Sequence, residues 1–192
     1  MIRNDTVYAD EVFGPADFEG VGQVTGCEFD GCRFEGCVLI DASFASCRFT
    51  ECLFESCDLT ALKVKNSFFS DVTIQNSKAI GIKWELCREP LGVSFQASNL
   101  TASSFYSLDL RHLKVTGCEA KELDFTEANL KQADFSGSDL EGTVFDGTDL
   151  EAADLTTAVN YLINPLKNNL RNARFSLPEA VSLLKGLPIK LV

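Results

Sequence analysis

Ala128-Asn129-Leu130-Lys131-Gln132-Ala133-Asp134-Phe135-Ser136-Gly137-Ser138-Asp139-Leu140-Glu141-Gly142 is one five-residue unit written three times. Each copy sets a small residue first, Asp or Asn second and a large apolar residue third. Working outward, an apolar residue, large at all but Ala120, returns at every fifth position from Phe95 to Leu155, through Phe105, Leu110, Phe125 and Phe145. Upstream the same rule runs in a shifted register from Phe29 to Trp84, and Tyr8, Phe13 and Phe18 follow it in a third. Fourteen of the 15 Phe, all but Phe68, occupy this central position, so the period marks a core. All eight Cys stand two residues before a centre: Cys27, Cys32, Cys37, Cys47, Cys52, Cys57, Cys87 and Cys118. That spacing reads as packing.

A period of five suits neither a 3.6-residue helix nor an alternating strand. It suits a chain in which each unit forms one side of a square and then turns a corner. The small and central residues then point inward and the other three face solvent. Four units close a coil of 20 residues, and coils stack at about 4.8 Å, the spacing between paired strands. Sorting by 20 yields columns such as Phe34, Phe54 and Ile74, continued after the register shift by Phe95, Val115, Phe135, Leu155 and Phe175. The fold class read from this is an all-β solenoid.

The 192 residues carry 17 Lys and Arg against 28 Asp and Glu, a net charge of −11, which argues against nonspecific binding to nucleic acid or an anionic membrane. No stretch approaches the roughly 18 apolar residues of a membrane span, and no apolar leader follows Met1-Ile2-Arg3-Asn4-Asp5, so the expected location is cytoplasmic.

The quoted units resemble the A(D/N)LXX motif of the pentapeptide-repeat family, over roughly residues 6 to 175 and more than two dozen units. The resemblance implies a right-handed quadrilateral β-helix. The expected organisation is a β-helix over residues 1–175 and a C-terminal element over 176–192 that serves as cap and dimerisation element.

Two breaks interrupt the repeat. In strict phase Glu89 would point inward, a costly place for a carboxylate, so the coil should open near Glu89-Pro90-Leu91-Gly92 and absorb one extra residue, as a bulge or as a recognition loop. Gly20-Val21-Gly22-Gln23 marks a similar irregularity. The motif fades from Thr156 to Lys167 and returns at Leu170 and Phe175. Ser176-Leu177-Pro178-Glu179 then reads as a capping box that starts a short helix through about Lys185, ended by Gly186. Its apolar residues, with the β-prone Ile189-Lys190-Leu191-Val192, exceed what closing one coil requires. A two-fold dimer through Leu177, Val181, Leu184, Leu187, Ile189 and Leu191 is expected, as the family resemblance also implies; simple capping is the alternative.

Chemistry is sparse. The one His, His112, falls at an outward corner, and no His-based metal cluster or Ser-His-Asp constellation can be assembled around it. Cys27 and Cys47, Cys32 and Cys52, and Cys37 and Cys57 stack 20 apart; free buried thiols are the expected state, with disulfides or metal ligation as alternatives. The 13 Gly form no phosphate-binding loop, and the carboxylates project from flat faces. No catalytic residue, cofactor or metal is assigned, and the chain reads as a non-enzyme.

Charge is the functional clue. Residues 119–154 hold eleven acids and only Lys121 and Lys131, a balance of −9. Residues 156–192 carry five cations against Glu179, a balance of +4. Glu119, Glu122, Asp139 and Glu141 fall on one side of the square and Asp124, Glu127 and Asp146 on the adjacent side. Acids that directly precede a central residue can also be turn supports. Several members of the family, the Qnr and MfpA groups among them, bind bacterial type II topoisomerases as acidic rods thought to imitate duplex DNA. The segment from Asn164-Pro165-Leu166 to Glu179-Ala180 resembles the carboxyl end of Qnr-like proteins. The resemblance thus implies a dimeric, DNA-mimicking partner of DNA gyrase or topoisomerase IV, which it modulates or protects from quinolones, with the seven acids facing the enzyme. Lys63, Lys65 and Lys83 break the negative stripe toward the N terminus, and outward loops of the Qnr kind are missing. A scaffold for some other protein is the second reading.

Overall fold

The computed structural model describes residues 2–189. They form a parallel β-solenoid of about eight turns. Phe13 pairs with Phe34, Phe34 with Phe54, Phe54 with Ile74, Ile74 with Phe95 and Phe95 with Val115, all in parallel. This is the second of four faces, each named here by its inward column. The first is Tyr8, Phe29, Phe49 and Phe69. Leu39, Leu59, Ala79, Leu100, Ala120 and Leu140 line the third, and Val24, Phe44, Val64, Trp84, Phe105, Phe125 and Phe145 the fourth.

The core consists of these columns. Phe34 and Phe54 lie 4.2 Å apart between centroids with planes at 6°, and Phe49 and Phe69 4.8 Å apart at 12°. Stacking one aromatic on its equivalent a coil later removes both faces of each ring from water. Full burial of such a side chain contributes about 1.5–3 kcal/mol.

Corners explain the rest of the unit. The residue two after most centres adopts a left-handed backbone, at Glu51 (φ 51°), His112 (φ 65°) and Glu122 (φ 54°), for example. Where the residue two before a centre is Ser, Thr or Cys, its side chain links coils. Ser67 accepts the Cys47 N–H at 3.0 Å and donates to the Phe44 carbonyl at 2.8 Å, and Thr143 accepts from Leu123 at 3.3 Å and donates to Ala120 at 2.6 Å. Hydroxyls at this place satisfy inward backbone groups that the ladder between coils does not reach. The thiols sit in the same place. Cys57 donates to the Phe34 carbonyl at 3.2 Å and Cys52 to that of Phe29 at 3.3 Å. Seven of the eight Cys are buried and Cys87 is half-buried.

Both expected breaks occur. Tyr8 pairs with Phe29, an offset of 21, whereas Val24 pairs with Phe44, an offset of 20, which places the extra residue between Phe18 and Val24. Ile74 pairs with Phe95, again an offset of 21. Glu89 is exposed and Leu91 turns inward, 7% exposed, so the extra residue keeps the carboxylate in water. The opening is a tight bulge, closed by a hydrogen bond from Gly92 N–H to the Phe69 carbonyl at 2.9 Å.

The fading segment keeps the coil. Asp139 still pairs with Val159 and Asp149 with Asn169, both at an offset of 20. Tyr161 and Ile163 fill the interior, and Asn160 takes the left-handed corner (φ 60°). The C-terminal helix departs from expectation in kind: Glu179–Gly186 is a 3-10 helix, and the capping box does not form. The Ser176 hydroxyl instead donates to the Thr156 carbonyl of the preceding coil, and the Glu179 carboxylate accepts from Asn160 N–H at 3.4 Å. Both side chains that would have capped the helix are engaged by the last coil, so the segment winds tightly against it.

Candidate partner-binding faces

The third and fourth faces carry the seven acids singled out from sequence, and β-bridges include Glu119, Asp124 and Asp139. Glu119 pairs with Asp139 on the third face, and Asp124 with Val144 on the fourth. Glu119, Glu122, Glu127 and Glu141 are exposed; Asp124, Asp139 and Asp146 are half-buried.

Their surroundings divide them. Lys121 Nζ lies 3.1 Å from Asp139 and 2.9 Å from Glu141 in the next coil, and Lys167 lies 2.6 Å from Asp146. Lys131 spans Asp149 and Glu151 in the same way, at 3.3 Å each. Tyr106 donates to Glu127 at 3.1 Å. Among the described residues no cation pairs with Glu119, Glu122, Asp124 or Glu127.

Acids directly before a centre have a second task. Asp124 accepts the Thr126 N–H at 2.9 Å, Asp134 that of Ser136 at 2.9 Å and Asp154 that of Thr156 at 3.0 Å. Each carboxylate closes its own turn. At Asp139, partial burial works against ionisation, but hydrogen bonds from Asn160 and Lys121 outweigh it and hold the carboxyl below its usual range. Its hydrogen bonds to the carboxylates of Glu141 and Asp139 push Lys121 up. Glu119, Glu122 and Glu127 are the exposed acids of the block free of both the turn task and a cation.

The fourth face changes sign along the rod. Lys83 and Lys63 occupy the same ladder position as Asp124, two and three coils closer to the N terminus respectively. In the sequence these lysines stand only as an interruption of the negative stripe.

At the C-terminal end, Leu177, Val181 and Ile189 are 78%, 45% and 53% exposed, while Leu184 and Leu187 are half-buried. Leu191 lies outside the described residues. Leu183, which the helical reading passed over, packs on the core in a 3-10 helix. A groove of about 550 Å³ beside this helix is lined by Val144, Leu162, Ile163 and Lys185. Among the described residues no helix is long and apolar enough to cross a membrane.

Comparison with known proteins agrees with this geometry. The chain superposes on a trypsin-treated variant of QnrB1, a plasmid-mediated fluoroquinolone resistance protein, with a TM-score of 0.57 and 18% identity, covering 98% of this chain and 99% of that one. Full-length QnrB1 superposes with a TM-score of 0.54 and 18% identity, over 97% and 99% of the two chains. No curated protein matches the sequence. A family model for a pentapeptide repeat region matches residues 27–88, and one for pentapeptide repeats in eight copies matches residues 124–159. With a repeat unit, an inward column and two family models in agreement, this chain belongs to the pentapeptide-repeat family.

Proposed function

We propose that this chain is a non-catalytic, DNA-mimicking rod that binds a type II topoisomerase, DNA gyrase or topoisomerase IV, and modulates it or protects it from quinolones. The observation that carries this reading is the end-to-end correspondence with QnrB1, over 98% and 99% of the two chains, in a rod with an acidic block at residues 119–154. Glu119, Glu122 and Glu127 lead the enzyme-facing surface, because their carboxylates are exposed and unneutralised. Asp124, Asp139, Glu141 and Asp146 add charge around them. Duplex DNA carries one charge per about 1.7 Å, so stacked coils at about 4.8 Å imitate it in part. A C-terminal dimer through Leu177, Val181 and their neighbours would set two such blocks about one axis. Supercoiling by purified gyrase, with and without ciprofloxacin, tests the proposal. Inhibition of supercoiling or rescue from the drug is expected; neither effect, with no binding at micromolar rod, rejects it. Light scattering that finds only monomer at tens of micromolar rejects the dimer.

The second reading, a scaffold for another protein, draws on one observation: the turn bonds of Asp124, Asp134 and Asp154 give those acids a structural reason to be present. Retention of a different protein from the source cell by the immobilised rod, together with inert behaviour toward gyrase, would favour it.

A further inference from the structure

At several places on the rod the 20-residue offset sets cations beside acids. It sets Lys78 3.4 Å from Asp58 and Arg174 2.9 Å from Asp154. On the fourth face the same offset stacks Lys63 under Lys83, with Lys65 beside them. Like charges stacked across a ladder are destabilising. All three lysines are exposed, and none has a carboxylate partner among the described residues; Lys63 donates only to the Asp41 carbonyl, at 3.4 Å. In a chain with eleven more acids than bases, such a cluster gains nothing from its own fold.

The lysines rim a depression of about 270 Å³ along which Leu86 is 47% exposed, while Leu62 and Val64 of the same lining are buried. The hollow lies where the strand is replaced by a 3-10 turn, Trp84–Leu86, just before the bulge. Two nearby carboxylates do not cancel the charge. Glu85 turns one oxygen inward, where it has no hydrogen-bond partner, and Asp41 leaves three cations to one acid at the rim.

We propose that this depression docks a short acidic segment of a partner protein, its carboxylates held by Lys63, Lys65 and Lys83 and an apolar side chain laid against Leu86. Charge complementarity selects the acid. The exposed leucine selects a peptide over a simple ion. A long polyanion is disfavoured, because beyond one coil of spacing at Ser104 the same face carries Asp124 and Glu127. The occupant is thus confined to about two or three coils, some 10–15 Å of rod. The inference is independent of the topoisomerase proposal.

Fluorescence anisotropy with a labelled decapeptide of alternating Asp and Glu around a central Leu, at about 50 mM salt, tests it on the full chain. Saturable binding is expected, weakened about tenfold or more by Lys63→Glu with Lys65→Glu and Lys83→Glu, and several-fold by Leu86→Ser or by a peptide with Ser for its Leu. Thermal melts confirm that each variant still folds, and the milder pair Lys65→Gln and Lys83→Gln replaces the triple reversal if it does not. The proposal is overturned by no saturable binding at about 1 mM peptide. Wild-type affinity in the lysine variants, equal competition by pyrophosphate, tighter binding of duplex DNA, or self-association lost with the same lysines would each overturn it too.

Discussion

Ser138 stands one coil beyond Cys118, and its hydroxyl accepts the Cys118 N–H at 3.0 Å while donating to the Val115 carbonyl at 2.7 Å. It is fully buried. One side chain thus satisfies two inward backbone groups of the neighbouring coil.

Replacing Ser138 by Ala should therefore cost more than the loss of one hydrogen bond. Leaving buried partners unpaired costs about 1–3 kcal/mol, against about 1 kcal/mol for a typical bond. Urea denaturation checks this: a lower midpoint at unchanged slope is expected, and a midpoint within error of wild type would contradict the bridging role.

Two glycines separate crowding from backbone conformation. A Cβ at Gly92 would meet Asp71 N at 3.1 Å, Ser70 Cα at 3.1 Å and the Phe69 carbonyl at 3.2 Å, all backbone atoms of the adjoining coil. At Gly117 a Cβ would have open space, but φ is +63°. Gly92→Ala is expected to destabilise by about 1–3 kcal/mol through overpacking at the bulge, and Gly117→Ala by about 1–2 kcal/mol through its left-handed backbone. Thermal melts of the two variants, with Gly117→Asn as a near-neutral control, measure the difference.

Burial pushes the thiols of Cys47, Cys52 and Cys118 up to about 11. In the unfolded chain the same groups ionise near their ordinary value, about 8.5. Between these values the unfolded state releases protons that the folded state keeps, so stability is full below about pH 8.5 and falls as pH rises toward 11. Midpoints of thermal unfolding should decline over that window, and Cys47→Ala with Cys52→Ala should flatten the decline. A slope unchanged by those substitutions would assign it to other groups.

Charge reversal at the unneutralised acids tests the proposed partner surface. Glu119→Lys, Glu122→Lys and Glu127→Lys together should weaken gyrase binding by about tenfold or more while leaving the melting temperature nearly unchanged, because exposed side chains contribute little to stability. Lys121→Gln should tighten binding by unmasking Asp139 and Glu141, at a stability cost under about 1 kcal/mol. Equal affinity across the set would move the interface off the third and fourth faces.

The solenoid is legible because its core is written at a fixed interval: Phe34, Phe54 and Ile74 must stack if every fifth residue turns inward, whatever the other side chains do. The bulge near Glu89 is legible for the same reason, since an apolar column rejects a carboxylate. The capping box does not form because Ser176 and Glu179, although they have helix-capping chemistry locally, find other partners in Thr156 and Asn160 of the preceding coil. Those partners lie 19 to 20 residues away and carry no local signal.

The acidic block divides along the same line. Sequence alone determined that residues 119–154 are strongly negative and which faces carry the charge, because face follows from position modulo 20. Only the tertiary structure decided which acids remain available: Lys121 and Lys167 reach across coils to Asp139, Glu141 and Asp146, while Glu119, Glu122 and Glu127 are left exposed without a cation. It also showed Lys63, Lys65 and Lys83 around one hollow rather than scattered along a stripe. Periodicity fixes where a side chain starts; the reach of a long, flexible side chain and the shape of the surface beneath it depend on neighbours a full coil away.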